Sequence, residues 1–281
     1  MNYIVSILKQ YKTSLLLIYF YVFVVQLIFL AEPYVLGKMI DGLLVKEYFW
    51  LTVFVVLLLA GNIFTYKRMV FDTKVYTKIY NDLVFNYLDH DKDSDASAKS
   101  ARTDMANNII NFLENDIAYY IMSVMTAVGS LCFVFAQHVT TGFIVAGCII
   151  PVLFIVKFFY KKIAQGTRVF NTLYEQKMTV MNSNDRSLIH GFFKKRSKII
   201  IAQSTIQGKN WTSLQSARGV FLIIALVAFT HNATGLTQGE AVSMYSYIFQ
   251  FLISLMSIPI GMETFTRMRD VIGRIKAPLS N

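Results

Sequence analysis

Long apolar runs, each about as long as a bilayer is thick, alternate with polar stretches along this chain. A helix needs roughly 20 apolar residues to cross the hydrocarbon core, and a window of about 19 residues finds six such segments. They run from about Thr13 to Leu36, Phe49 to Tyr66, Ala118 to Gln137, Thr141 to Tyr160, Gly219 to Thr230 and Ala241 to Phe265. The fifth is extended backwards by a less apolar stretch. Because a segment in lipid must satisfy its own backbone hydrogen bonds, we predict an all-α integral membrane protein of six transmembrane helices.

The links between these segments differ in length. Residues 37–48, 138–140 and 231–240 form three short links, whereas residues 67–117 and 161–218 form two long ones. The long links contain almost no Pro or Gly and keep apolar residues at helical spacing. At 1.5 Å per residue, some 20 extra residues carry each helix roughly 30 Å beyond the bilayer. We therefore predict long helical extensions that turn back near Asp91–Ser100 and near Asp185–Lys194.

Charge predicts the orientation. Of the 27 Lys and Arg residues, only Lys38 and Lys46 fall in the short links. Positive loops stay in the cytoplasm, so we expect both termini and both extensions there. Membrane-flanking basic residues also account for the net charge of +10 without a nucleic-acid partner. The Lys-, Asn- and Ile-rich composition favours a bacterial inner (plasma) membrane.

Three local sequences support a family resemblance. Residues 33–41 read Pro-Tyr-Val-Leu-Gly-Lys-Met-Ile-Asp, residues 236–245 read Leu-Thr-Gln-Gly-Glu-Ala-Val-Ser-Met-Tyr, and Pro259 is followed by Arg267 and Arg274-Ile275. With the order and spacing of the six segments, they resemble the transmembrane domain of ABC exporters over nearly the whole chain. The resemblance implies one six-helix domain over residues 1–276, a tail over residues 277–281, and a homodimer or heterodimer whose chains exchange helices.

The ATPase motifs of that family are absent from this sequence. It contains no Gly-x-x-x-x-Gly-Lys-Ser/Thr string, which cradles phosphates, and no LSGGQ-like signature. We therefore expect this chain to be no enzyme and to need no metal or other cofactor. The first cytoplasmic turn, around Asp89–Ser100, is too polar to dock into an ATPase. The second turn keeps candidate docking residues for a separate ATPase chain: His190, Gly191, Phe192 and Phe193.

Few ionisable residues lie at membrane depth. Placing an acidic side chain there costs free energy unless the side chain is paired or faces a water-filled cavity. Glu263 and Glu32 are the candidates for coupling transport to protons or other ions. Each also lies near an interface that water reaches, which leaves a purely structural role open. Lys157 can extend its amine to the interface instead.

Polar and aromatic residues inside the apolar segments are candidates for a substrate cavity. They are Gln26, Tyr245, Gln250 and Met256. Two alternatives remain open, because glutamines also join helices through hydrogen bonds and aromatic residues also face lipid. The basic second link has two alternatives as well, which are contact with an acidic turn of a partner chain and contact with anionic lipid headgroups.

Transport of a small molecule or peptide by alternating access is the leading functional hypothesis. Two energy sources remain open, namely an ion or proton gradient used by a stand-alone carrier and a separate ATPase subunit. A third hypothesis, from another class, is a non-transporting membrane scaffold or sensor.

Overall fold

The computed structural model describes residues 9–90, 103–104, 106–107, 109–183, 185–232, 235–257, 261 and 264. Within these residues the chain forms helices and no strand. The helices are α1 (Lys12–Leu44), α2 (Phe49–His90), α3 (Ala118–Gln137), α4 (Val139–Gly147), α5 (Ile149–Asn182), α6 (Arg186–Asn232) and α7 (Gln238–Leu255), with a π-helical turn (Phe112–Ile117) before α3. The all-α prediction is confirmed for this part of the chain.

Five helical stretches are long and apolar enough to cross a membrane, and multiple crossings make this a multi-pass membrane protein. They are Lys12–Leu44, Phe49–Asn86, Ile109–Gln137, Val139–Gly166 and Arg186–His231. The predicted sixth segment corresponds to α7, which is 18 residues long and is not among the five. Its first turn is polar, with Gln238 and Glu240, and the described residues after Ser257 are isolated.

The predicted fourth segment is broken rather than continuous. Helix α4 ends at Gly147, Cys148 forms a turn, and α5 starts at Ile149. The physical reason lies three residues downstream, because Pro151 has no amide hydrogen to give the carbonyl of Gly147 and its ring crowds that carbonyl.

Helical extensions beyond the apolar segments are present, as the spacing predicts. Helix α2 has 42 residues, α5 has 34, and α6 has 47. Helix α6 begins where Asp185 caps it, since Asp185 Oδ1 accepts the amide hydrogens of Ser187 (2.8 Å) and Leu188 (3.2 Å). The predicted turn at Asp185–Lys194 is therefore shorter than expected, and the predicted turn at Asp91–Ser100 lies outside the described residues.

Two apolar clusters hold the helices together. The first joins α3, α4, α5, α6 and α7 around side chains such as Val145, Leu214 and Tyr247. The second joins α1, α2 and the start of α3 around Ile18, Tyr76 and Ile79. Helices α5 and α6 pack mainly on each other, and extensive packing of α6 on α1 or α2 is absent among the described residues.

We call the two ends of the bundle the short-link end, where α1 meets α2 and α6 meets α7, and the extended end, which the long helices reach. At the short-link end the chain turns between α1 and α2 within residues 45–48. Lys46 adopts a positive φ of 62° there, and the carbonyl of Gly42 accepts the amide hydrogens of Val45 and Glu47. The short link expected from Gly37 thus starts later, and Gly37, Lys38 and Asp41 are helical.

Candidate functional site

A carboxylate of α1 caps α7 at the short-link end. Asp41 Oδ1 accepts the amide hydrogen of Gly239 (2.8 Å), and Asp41 Oδ2 accepts the hydroxyl hydrogen of Thr237 (2.7 Å). Thr237 and Glu240 also form a reciprocal capping box. A negative charge at a helix N-terminus meets unsatisfied amides and the positive end of the helix dipole. The sequence elements around Asp41 and Gly239 therefore form one joint.

Two glycines let the backbones of α1 and α7 cross closely beside this cap. A Cβ atom added to Gly37 would lie 2.5 Å from the carbonyl oxygen of Gly239. A Cβ atom added to Gly239 would overlap the carbonyl oxygen of Gly37 and lie 2.7 Å from Asp41 Oδ2. Only glycine fits at this crossing without displacing backbone.

An open cleft of about 360 Å³ lies against the joint, which is within the size range of small-molecule sites. Its lining includes positively and negatively charged side chains and several hydrogen-bonding groups, so the cleft suits a polar or zwitterionic group and water. The lining residues are Tyr34, Gly37, Lys38, Asp41, Gln137, His138, Phe229, Leu236, Gly239, Glu240 and Ser243. His138 also caps α4, because its Nδ1 accepts the amide hydrogen of Thr141 (3.3 Å).

Hydrogen bonds join α1, α3 and α7 deeper in the bundle. Gln26, 1% exposed, donates from Nε2 to the hydroxyl oxygen of Thr126 (2.7 Å). The Tyr247 hydroxyl donates to the carbonyl oxygen of Leu30 (2.8 Å), and its ring stacks on Phe133 with centroids 4.5 Å apart. The structure thus places Gln26, a cavity candidate, in a helix–helix contact.

The other cavity candidates lie in three different surroundings on or after α7. Tyr245 is 41% exposed and stacks on Phe249 with centroids 5.8 Å apart. Gln250 is half-buried, and its buried Oε1 accepts no hydrogen bond from any residue with a described position. Met256 is buried in the first apolar cluster.

Arg218 of α6 lies over the Phe249 ring, with its guanidinium carbon 5.4 Å from the ring centroid. Sequence reasoning missed this residue because it was assigned to the end of the second long link. The sequence carries one signal: the fifth apolar segment ends near Thr230, and a span of about 20 residues ending there must contain Arg218.

A second polar cluster lies towards the extended end, between α1, α2 and the π-helical turn. Arg68 and Asp72 form an ion pair (3.1 Å) with side chains 16% and 6% exposed. Tyr76 donates to the carbonyl oxygen of Leu113 (3.2 Å), within the π-helical turn. Sequence reasoning did not single out Asp72, although its spacing of four residues from Arg68 on one helix marks a possible ion pair; its burial appears only once the helices are packed.

The N-terminal end of α1 is tied to α2 by a long-range hydrogen bond. Tyr11 donates its hydroxyl hydrogen to Asp82 Oδ2 (2.7 Å). This bond raises the pKa of the Tyr11 hydroxyl above its ordinary value. The Tyr11 hydroxyl therefore keeps the hydrogen that it donates throughout the physiological range of pH.

Of the two candidate coupling acids, Glu32 is the one with a described position. Glu32 is half-buried in α1, next to Pro33, and forms no hydrogen bond or ion pair within the described ranges. Glu263 lies outside the described residues. Lys157 is exposed on α5.

The candidate docking residues lie in the first two turns of α6 rather than in a loop. His190 and Gly191 are exposed, and open space surrounds Gly191. Phe193 is 37% exposed, whereas Phe192 is 8% exposed and forms an edge contact with it. One aromatic ring is thus available at this tip and the other anchors it.

Comparison with protein families gives one match. The family described as ABC transporter transmembrane region matches residues 4–239, which include every span, the Asp41–Gly239 joint and the α5–α6 pair. A comparison with curated proteins finds no match.

Proposed function

Since this chain belongs to the ABC transporter transmembrane region family, we propose that it moves a small molecule or peptide across a membrane by alternating access. The observation that carries the proposal is the α5–α6 pair, whose long helices pack mainly on each other and leave apolar side chains uncovered. Alternating access needs two bodies that rock against each other around a site, and such a pair is suited to join one chain to another.

A second copy of this chain, or a similar chain, is the proposed partner. Ile201 is 65% exposed and Trp211 is 48% exposed on α6, and apolar area of this kind is normally covered by protein or lipid. The 18-residue apolar window of α2 contains no buried residue. We assign the α2 surface to lipid and the extended part of α5–α6 to the partner.

The short-link end faces outward in this proposal, because basic residues concentrate towards the extended end. The cleft beside Asp41 and Gly239 then opens to the outside. The bonds that Asp41 makes to Gly239 and Thr237 bring the ends of α1 and α7 together, which suits an outer gate.

An ion or proton gradient is the first proposed energy source. It is supported by Glu32, a half-buried acid that has no partner among the residues with described positions. An unpaired acid at membrane depth is a default candidate for ion binding. Glu263 stays a second candidate from sequence alone.

A separate ATPase subunit is the second proposed energy source. Its support is the tip of α6, where His190 and Phe193 are exposed and Gly191 has free space. Members of this family commonly pair with ATPases. In either case we propose that the chain itself hydrolyses no ATP, since no phosphate-binding string is present in it.

Flux measured in proteoliposomes that contain only the purified chain tests the proposal. We expect an imposed pH gradient to drive uptake of at least one member of a panel of peptides and amphiphiles, without ATP. The Glu32→Gln and Glu263→Gln variants identify the coupling acid, and Glu47→Gln is the matched control because Glu47 is exposed in the α1–α2 turn.

Three results separate the candidates. A stand-alone carrier is supported if a gradient drives flux, if either acid variant abolishes that flux, and if Glu47→Gln leaves it unchanged. A pump subunit is supported if flux requires a co-expressed ATPase and ATP, and if Phe193→Ala reduces that flux. Absence of flux under both conditions, for substrates that bind the purified chain, favours the scaffold or sensor.

A cross-linking experiment tests the proposed partner independently. We expect Ile201→Asp to weaken self-association by about tenfold or more, because it places a charge in an apolar interface. Ile201→Leu should retain association. A monomeric wild type in detergent and in nanodiscs would contradict the dimer.

A further inference from the structure

Arg218 is positioned deep in the membrane-spanning part of α6. Its Cα lies about 20 Å from the short-link end of the helix at His231, at 1.5 Å per residue. A hydrocarbon core is about 30 Å thick, so Arg218 belongs to a turn roughly two-thirds of the way across. The next turn towards the short-link end, with Phe221 and Leu222, is apolar and half-buried.

The guanidinium stays at this depth instead of extending towards an interface. It lies 5.4 Å from the centroid of the Phe249 ring, and Phe249 is itself about 17 Å from the start of α7. Helix α6 ends and helix α7 begins at the short-link end, so the two depths agree. The cation–π contact holds the charge where an arginine side chain would otherwise move towards water.

No carboxylate neutralises Arg218 within the described ranges. The ion pair found there joins Arg68 to Asp72, and the interaction found for Arg218 is the ring contact. A positive charge at membrane depth is costly and persists when it is paired, hydrated or functional. Among the residues that the structure describes, Arg218 therefore lacks a pairing anion.

An uncovered aromatic surface continues from Arg218 along α7. Phe249 stacks on Tyr245, with ring centroids 5.8 Å apart and planes 17° apart. Tyr245 is 41% exposed, and Ile253, one turn beyond Phe249, is 42% exposed. Arg218 thus places a positive charge beside the middle of a largely apolar surface.

We propose that Arg218, Phe249 and Tyr245 form a binding site for a small amphiphilic anion, in which Arg218 pairs with a phosphate or carboxylate and the α7 surface contacts a single apolar chain. The proposal deepens the transport function and rests on it, since it names the class of the transported substrate. The planar guanidinium matches phosphate and carboxylate oxygens in a two-point contact. The same chemistry occurs in lipid headgroups, and we assign the site to a single-chain solute.

Binding of matched probes to the purified full chain in an uncharged detergent tests the site without any need for transport. The probes are dodecyl phosphate, dodecan-1-ol and dodecyltrimethylammonium, which share one alkyl chain and differ in charge. We expect dodecyl phosphate to bind about tenfold or more tightly than dodecan-1-ol. Arg218→Gln should remove that preference and leave dodecan-1-ol binding unchanged, and Arg218→Lys should retain most of it.

A matched control is present in the same chain. Lys162 lies over Phe158 at 4.7 Å, which is the same kind of contact at an exposed position of α5. Lys162→Gln should leave dodecyl phosphate binding unchanged. Phe249→Leu removes the ring but keeps the charge of Arg218, and it should weaken dodecyl phosphate binding by a few fold. Because it leaves Arg218 in place, it also tests the site independently of any folding defect in the Arg218 variants.

Distinct outcomes overturn the site and the transport function. The site is overturned if the three probes bind with equal affinity, or if Lys162→Gln and Arg218→Gln weaken dodecyl phosphate binding equally. In that case, measured flux of other substrates would still support the transport function. Displacement of dodecyl phosphate by phosphatidylglycerol at lower concentration overturns the single-chain assignment. Arg218-dependent binding without flux in any energised liposome leaves the site standing and contradicts the transport function.

Discussion

The carboxylate of Asp41, near the end of α1, accepts the backbone amide hydrogen of Gly239 in the first turn of α7 at 2.8 Å. The bond joins residues 198 positions apart and occupies one of the amides that a helix leaves unsatisfied at its N-terminus. The orientation of α7 therefore depends on a side chain of α1.

Replacement of Asp41 should loosen this joint. We expect Asp41→Ala to lower the free energy of unfolding by about 1–2 kcal/mol, because the amide of Gly239 and the hydroxyl of Thr237 lose their acceptor. Asp41→Asn should cost less, since its amide oxygen still accepts one bond. Thermal unfolding in detergent measures the effect, and Glu47→Gln is the control because Glu47 is exposed nearby. Equal stability of Asp41→Ala and Glu47→Gln would contradict the cap.

Replacement of Gly239 should have a larger effect than loss of the cap. Gly239→Ala forces a methyl group into the carbonyl oxygen of Gly37, and rigid backbone cannot yield as a flexible side chain does. We expect a loss of about 2–3 kcal/mol or a failure to accumulate folded protein. Gly208→Ala provides the contrast, because Gly208 has nothing within 4 Å and alanine is favoured over glycine in a helix by up to about 1 kcal/mol. Similar losses in both variants would rule out the close crossing.

The hydrogen bond between Gln26 and Thr126 gives a third prediction. A double-mutant cycle of Gln26→Leu and Thr126→Val should yield a coupling energy of about 0.6–1.7 kcal/mol, which is the range for polar contacts between membrane helices. Thr230→Val replaces Thr126→Val in the control cycle, which should give no coupling to Gln26→Leu. The exposed Thr230 hydroxyl donates to carbonyl oxygens of its own helix. A coupling energy near zero would instead favour Gln26 as a residue that faces a cavity in the proposed transport cycle.

Replacing Arg68 alone should lower the free energy of unfolding more than replacing Arg68 and Asp72 together. We expect Arg68→Met alone to lose about 3 kcal/mol, because it leaves the charge of Asp72 buried without a partner. The double variant Arg68→Met with Asp72→Asn should recover most of that loss. Urea or thermal unfolding of the three variants measures the difference, and a double variant as unstable as the single one would show that the pair is needed as a unit.

Helix positions and extensions followed from the sequence because they depend on local signals. The apolar runs, the scarcity of Pro and Gly between residues 67 and 117, and the helical spacing of apolar residues each act within a few turns. The break at Cys148 was missed although Pro151 marks it, since a proline in a membrane helix is often tolerated and gives no unambiguous boundary.

The site was less predictable because its contacts join distant parts of the chain. Gln26 was singled out as a polar residue in an apolar run, but its partner Thr126 lies 100 residues away, and no local pattern selects between a cavity and a helix contact. Arg218 and Asp72 were missed for a related reason. Their surroundings are created by packing against α7 and α3, whereas sequence alone shows them as ordinary charges in long links.

Helix α6 is a single rod of 47 residues, about 70 Å long at 1.5 Å per residue, and α5 is bound along it. A rod of this length amplifies rotation. If the part near Arg218 tilts by about 10° in the proposed transport cycle, a position roughly 40 Å further along α6 moves by about 7 Å. The exposed ring of Phe193 lies at about that distance, so a small change beside the proposed binding site becomes a displacement large enough for another protein to detect or to drive.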